Sequence, residues 1–218
     1  MSARDAVIAG ATGLVGAELL RLLAWDDTYT RVLALARRDL PLQHPRIEAR
    51  PARFEALDAA LAGARPGADV FCCLGTTIRT AGSREAFRAV DHGMVVALAR
   101  WAKRHRARRF LLVSALGADP ASRVFYNRTK GEAERDARAE GPASVVVLRP
   151  SLLDGERAER RFGEQLSLRL ARPLAGLIPA AWRPVHARDV AAAIWDAARV
   201  ESPPAVIESA AMLGAAAR

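Results

Sequence analysis

Short apolar runs alternate along the chain with longer stretches in which apolar residues recur every three or four positions. The runs centre on Ala6–Ala9, Arg31–Ala36, Arg46–Ala49, Asp69–Leu74, Arg109–Ser114, Ser144–Arg149 and Ala205–Glu208. Most are continuous rather than alternating, the pattern of strands buried on both faces. The stretches Leu14–Ala24, Phe54–Ala62, Arg84–Arg106, Arg123–Ala139 and Arg188–Arg199 have helical periodicity. Strand and helix in strict alternation predict an α/β fold: a doubly wound, Rossmann-type parallel sheet of about seven strands with crossover helices. The whole chain, 1–218, is expected to form one domain. Residues 152–185 break the alternation with Gly155, Pro173, Gly176, Pro179 and Pro184 around an amphipathic piece, Phe162–Leu170. In doubly wound sheets ligands sit beyond the carboxyl ends of the strands, so this late excursion is a candidate substrate-side cover.

The first run leads directly into Gly10-Ala-Thr12-Gly13-Leu14-Val15-Gly16 and then a helical stretch. Glycines spaced by three in a strand–turn–helix setting suit a dinucleotide. Gly10 permits the tight turn, Gly13 lets backbone amides approach a pyrophosphate, and Gly16 lets the helix pack close to the strand. At the end of the second strand, where a carboxylate selects NAD by accepting from the ribose 2′-hydroxyl, the chain has Arg37-Arg38 and only then Asp39. Arginine clamps a 2′-phosphate, so NADP(H) is favoured, with Asp39 leaving NAD(H) open.

Tyr126-Asn-Arg-Thr-Lys130 places a phenol and an ammonium one helical turn apart on one face. With two tyrosines and two lysines in 218 residues, chance supplies such a pair about 0.02 times. Ser114 ends an apolar strand twelve residues before Tyr126. These types suit carbonyl chemistry: a carbonyl that accepts hydride needs a proton at once, and a phenol beside an ammonium gives one up more readily than in water. None of these motifs calls for a metal.

Composition changes this picture little. The net charge of +9 invites a nucleic-acid reading, but only Lys103 and Lys130 are lysines, and the arginines come with abundant alanine, as coding bias would produce. The densest basic run, Arg100 to Arg109, lacks interleaved aromatics to stack on bases and is expected to be a solvated helix end and turn. No nucleic-acid partner is expected. Apolar stretches such as Val145–Leu148 fall far short of the roughly 18 residues that span a bilayer, so no membrane partner is expected. The first residues hold no long apolar region and no cleavage site, which places the protein in the cytoplasm. Cys72 and Cys73 are adjacent in an apolar run and read as buried free thiols.

The Gly10–Gly16 loop resembles that of the short-chain dehydrogenase/reductase superfamily, in particular its extended and atypical members. Together with Cys72-Cys-Leu-Gly-Thr-Thr77, Val90-Asp91, Tyr126–Glu132 and Arg183-Pro-Val-His186, it resembles the Tat-interacting oxidoreductase-like group across nearly the whole chain. The resemblance implies that Leu74, Gly75 and Thr76 line the cofactor and that Pro150 lies beside the nicotinamide. It also implies that Ser114, Tyr126 and Lys130 are the catalytic set, Ser114 orienting the substrate oxygen and Lys130 also holding the cofactor ribose. His186 and Asp189 are expected to be structural. Two departures stand out. Pro51-Ala-Arg53-Phe54 replaces the acidic residue that reaches the adenine amine in many relatives, and the catalytic Asn of the superfamily is absent, with Asp91 and His92 in its region. The function this implies is NADPH-dependent hydride transfer to a small carbonyl substrate, or the reverse oxidation of an alcohol. The alternative is an NADPH-binding redox sensor acting through a protein partner. Substrate and oligomeric state are left open.

Overall fold

A computed structural model describes residues 4–154 and 179–217. Seven parallel strands form one sheet in the order β3-β2-β1-β4-β5-β6-β9. They are β1 (Arg4–Ala9), β2 (Tyr29–Ala36), β3 (Ile47–Pro51), β4 (Asp69–Cys72), β5 (Arg109–Val113), β6 (Val145–Arg149) and β9 (Val206–Glu208), the seven apolar runs of the sequence. β7 (Leu153–Asp154) and β8 (Val185–His186) form a small separate parallel pair. Most of the candidate cover, including Phe162–Leu170, lies outside the described residues.

Successive residues of a strand face opposite sides of the sheet, and each side has its own core. Ala6 and Ile8 of β1, with Phe71, Leu111 and Val113, pack under α1 (Leu14–Trp25) and the late helix Ala187–Arg199. Val7 and Ala9, with Leu33, Phe110 and Leu112, pack under Leu98 and Trp101 of the helix Val95–Arg104. Continuous apolar runs were therefore required on the central strands, since neither face meets water.

Two predicted helices differ in detail. Phe54–Ala62 yields only a single 3₁₀ turn and the short helix Leu57–Ala60, because Gly63 follows in the left-handed region at φ 78°. Arg84–Arg106 is continuous but not uniformly α: a π-turn, Ala89–Met94, separates Arg84–Arg88 from Val95–Arg104.

The basic run is not a solvated turn throughout. Arg109 is buried and donates to the carbonyls of Ala197 at 2.6 Å, Val200 at 2.8 Å and Glu201 at 2.9 Å, at the C-terminal end of the late helix. A guanidinium suits that negative helix end and satisfies carbonyls the helix itself cannot. Arg108 bonds both oxygens of buried Asp69 at 2.8 Å.

Candidate functional site

The strand order reverses between β1 and β4, where a doubly wound sheet opens a crevice. Gly10 follows β1 at φ 88°, and a Cβ there would stand 2.4 Å from the Cys73 carbonyl oxygen in the loop after β4. The chain thus passes from strand to helix through a space that only glycine fills. A Cβ on Gly16 would lie 2.1 Å from the Gly10 oxygen, so α1 starts in direct contact with the loop. Gly13 is the N-cap of α1 and has no side-chain cap, which leaves first-turn amides for an anion.

Across the crevice, the helix Phe125–Glu140 carries Tyr126 in its first turn and Lys130 in its second. Lys130 is buried, and its Nζ lies 2.7 Å from Oδ1 of Asp91, itself fully buried in the π-turn. The second Asp91 oxygen accepts from the Thr76 amide at 3.0 Å. Burial disfavours the lysine charge, but Asp91 and the Tyr126 side chain outweigh it, and the Lys130 pKa lies above the ordinary lysine value. The Tyr126 ring packs 5.6 Å from that of Phe87.

One cavity of about 230 Å³ gathers most of the predicted site. Gly13, Leu14 and Val15 form one wall; Leu74, Gly75 and Thr76 form the next. Ser114, Tyr126, Lys130 and Pro150 close it, with Thr77, Ala115, Ser151 and Leu152 as residues the sequence did not single out. Thr12 and Arg38 line an adjoining groove that shares Gly13 and Leu14 with the cavity. Arg37 lies in a further hollow beside Arg38 and Asp39. Both arginines are exposed. Gly10 and Gly16 line neither space and shape the loop instead.

Ser114 lines the cavity, yet its hydroxyl donates to Glu134 Oε1 at 2.5 Å, and Glu134 also holds Arg149 at 2.6 Å. Its single proton is committed inward, so the expected donation to a substrate oxygen does not match the geometry. Cys72 is buried as expected, with burial pushing its thiol up to about 12, whereas Cys73 is only partly buried and borders the cavity. Asp189 is structural as expected: buried in the first turn of the late helix, it accepts from Ala216 N at 3.0 Å.

Residues 10–199 match a family model described as NAD(P)H-binding. The chain belongs to this NAD(P)H-binding family. It is 37% identical over 171 residues to the protein FMP52, mitochondrial, of Eremothecium gossypii, covering 77% of this chain and 75% of that one. It is 35% identical over 186 residues to the protein HTATIP2 of Rattus norvegicus, covering 84% and 74%. These relatives bear out the resemblance to the Tat-interacting group of atypical short-chain dehydrogenases. The solved structure of MoeE5 in complex with UDP-glucose and NAD superposes with a TM-score of 0.70 at 19% identity, over 93% of this chain and 75% of that one, which identifies a Rossmann-type fold shared with an NAD-complexed protein. One expectation is overturned. The cytoplasmic placement fails because relatives from Eremothecium gossypii, Coccidioides immitis and Aspergillus fumigatus all carry mitochondrial names. No helix among the described residues is long and apolar enough to cross a membrane.

Proposed function

We propose that this family member is an NADPH-dependent oxidoreductase that reduces a carbonyl of a small substrate, with Tyr126 as general acid. The observation that carries the reading is the cavity in which Tyr126 and Lys130 face the amide end of α1 and the Leu74–Thr76 loop. The residues fit a dinucleotide: the close backbone approaches at Gly10 and Gly16 fix the loop that presents Gly13 to the cavity, and the first turn of α1 has no side-chain cap. Gly13, Leu14 and Val15 would hold the pyrophosphate, Arg37 and Arg38 the 2′-phosphate, Leu74 to Thr76 the adenosine ribose side, and Pro150 the nicotinamide side. When bound, NADPH supplies the hydride that forms the new C–H bond. Tyr126 gives its phenolic proton to the carbonyl oxygen and is reprotonated from solvent. Lys130, held charged by Asp91, steadies the phenolate left after transfer and would donate to the cofactor ribose.

A titration with NADPH and NADH at constant ionic strength, followed by nicotinamide fluorescence, tests the binding half. Tight NADPH and weak NADH, with the difference erased by replacing Arg37 and Arg38 together, is the expected result. Equal losses for both cofactors in that variant refute the clamp. A panel of aldehydes, ketones and quinones then tests chemistry: Tyr126→Phe is expected to lower turnover about 10²- to 10⁴-fold at near-constant cofactor affinity. An unchanged rate refutes the general acid.

The commitment of the Ser114 proton to Glu134 favours a second reading. A site with one fewer substrate donor suits a protein that holds NADPH and signals through a protein partner. Firm NADPH binding without oxidation of the cofactor by any member of the panel selects it.

A further inference from the structure

Asp91 occupies the region in which the superfamily's catalytic asparagine was missed. It is a fully buried carboxylate, a position in which a charge is held only where partners compensate it. The π-turn that carries it interrupts two α-helical stretches, a local irregularity that commonly serves a site rather than a scaffold. Its two oxygens have different partners: Oδ2 takes the Thr76 amide at 3.0 Å, and Oδ1 stands 2.7 Å from Lys130 Nζ.

The groups around Lys130 come from three elements. Tyr126 stands one turn earlier on its own helix, Asp91 faces it from the π-turn, and Cys72 faces it from β4. Burial keeps the Cys72 thiol neutral near pH 7. Asp91 is the one carboxylate among these neighbours. Gly75 lines the cavity with Lys130 and lies against the pair: a Cβ there would stand 3.7 Å from Lys130 Nζ and 3.8 Å from Asp91 Oδ1. The ion pair thus sits against the backbone of the very loop that borders the cavity.

We propose that Asp91 is a positioning residue for Lys130: it holds the ammonium charged beside Tyr126 and ties it, through Thr76, to the cofactor-side loop. The consequence for proton supply rests on the oxidoreductase reading above, while the pairing itself does not. Without Asp91, burial acts on Lys130 against only the weaker influence of Tyr126 and Cys72. The ammonium then loses its proton more easily, and the Leu74–Thr76 loop loses its anchor to the catalytic helix.

The chain has only two lysines, which makes a direct test simple. Lysine labelled with carbon-13 at Cε gives two signals by NMR, and Lys103→Arg assigns them. In the wild-type protein the Lys130 signal is expected to titrate at higher pH than that of exposed Lys103. In Asp91→Asn, which preserves the acceptor for Thr76 but removes the charge, the Lys130 midpoint is expected to fall by about 1 to 3 pH units. Asp91→Glu is expected to recover most of that fall. NADPH affinity, read by fluorescence, is expected to weaken several-fold in Asp91→Ala and less in Asp91→Asn. A Lys130 midpoint below that of Lys103 in the wild type overturns the proposal, as does an unchanged midpoint in Asp91→Asn. The wild-type comparison alone decides if the variants do not fold. Absence of turnover by a wild-type protein whose Lys130 titrates as expected refutes the oxidoreductase reading and leaves the pairing intact.

Discussion

Replacing Gly10 by alanine separates two costs that the glycine loop combines. The first is conformational: at φ 88° an L-residue is strained by about 1–2 kcal/mol, partly offset by about 0.4–1 kcal/mol from a less free unfolded chain. The second is contact: the new Cβ falls 2.4 Å from the Cys73 oxygen and 2.6 Å from its carbonyl carbon. These are backbone atoms held by the Cys73 amide's bond to Ala9 O at 2.8 Å, so no side chain can turn away to relieve them. Overpacking of this kind adds about 1–3 kcal/mol. Gly63 supplies the control, since it has φ 78° and nothing within 4 Å of its Cβ position. Gly63→Ala is expected to cost about 1 kcal/mol and Gly10→Ala about 3 kcal/mol. For a chain of this size those correspond to falls in Tm of about 2–4 °C and 6–12 °C. Thermal unfolding of the two variants beside the wild type measures the difference. Equal losses refute the argument that β1 and the loop after β4 approach too closely for any side chain. The same variant is expected to weaken NADPH binding more than Gly63→Ala does, because relief of the contact displaces the loop that borders the cavity.

Three further outcomes follow from buried groups. Cys72, with its thiol pushed up to about 12 by burial, is expected to resist iodoacetamide at pH 8 until the protein is denatured, and rapid labelling of native Cys73→Ser protein, in which Cys72 is the remaining thiol, refutes its burial. Asp26 opposes its partial burial by accepting from Thr28 N at 2.9 Å and Trp195 Nε1 at 2.8 Å, and its pKa is lowered from 3.8. A depressed carboxylate contributes stability above its unfolded pKa and loses it as pH falls through the folded one. Chemical denaturation at decreasing pH is therefore expected to show an acid loss below pH 3.8 that is smaller in Asp26→Asn; identical pH slopes refute the role. Arg109→Met keeps the aliphatic bulk but leaves the carbonyls of Ala197, Val200 and Glu201 without their donor, and is expected to cost about 2–4 kcal/mol in urea unfolding. A loss under about 0.5 kcal/mol shows that water replaces the guanidinium there.

The parts of this molecule that were legible in its sequence are those written in local pattern. The five inner strands announced themselves because a doubly covered sheet needs largely apolar runs, while the half-exposed edge strands β3 and β9 were legible from the alternation around them, and the glycine spacing and the Tyr126–Lys130 turn are short-range geometry. What the pattern hid are pairings between distant charged residues. Glu134 sits on a helix rich in charge and reads as a solvated position, yet it is buried and takes the Ser114 proton from twenty residues away. Arg109 reads as the end of a basic surface run, yet it closes a helix end about ninety residues later in the chain. Periodicity carries no information on which buried charge meets which.

Asp91 shows how such a pairing changes the reading of a motif. Tyr126 and Lys130 share a helix face by their spacing alone, and any helix would present them so. Spacing does not say whether the lysine is charged when buried, and burial by itself favours the neutral amine. The charge depends on a carboxylate delivered by a different helix, through a π-turn that no hydrophobic period predicts. The same carboxylate fixes the Thr76 amide. On the proposed chemistry, proton supply at Tyr126 and the shape of the Leu74–Thr76 loop both depend on one residue, so a change at Asp91 should move lysine titration and cofactor affinity together, whereas a change at Tyr126 should move turnover far more than cofactor affinity.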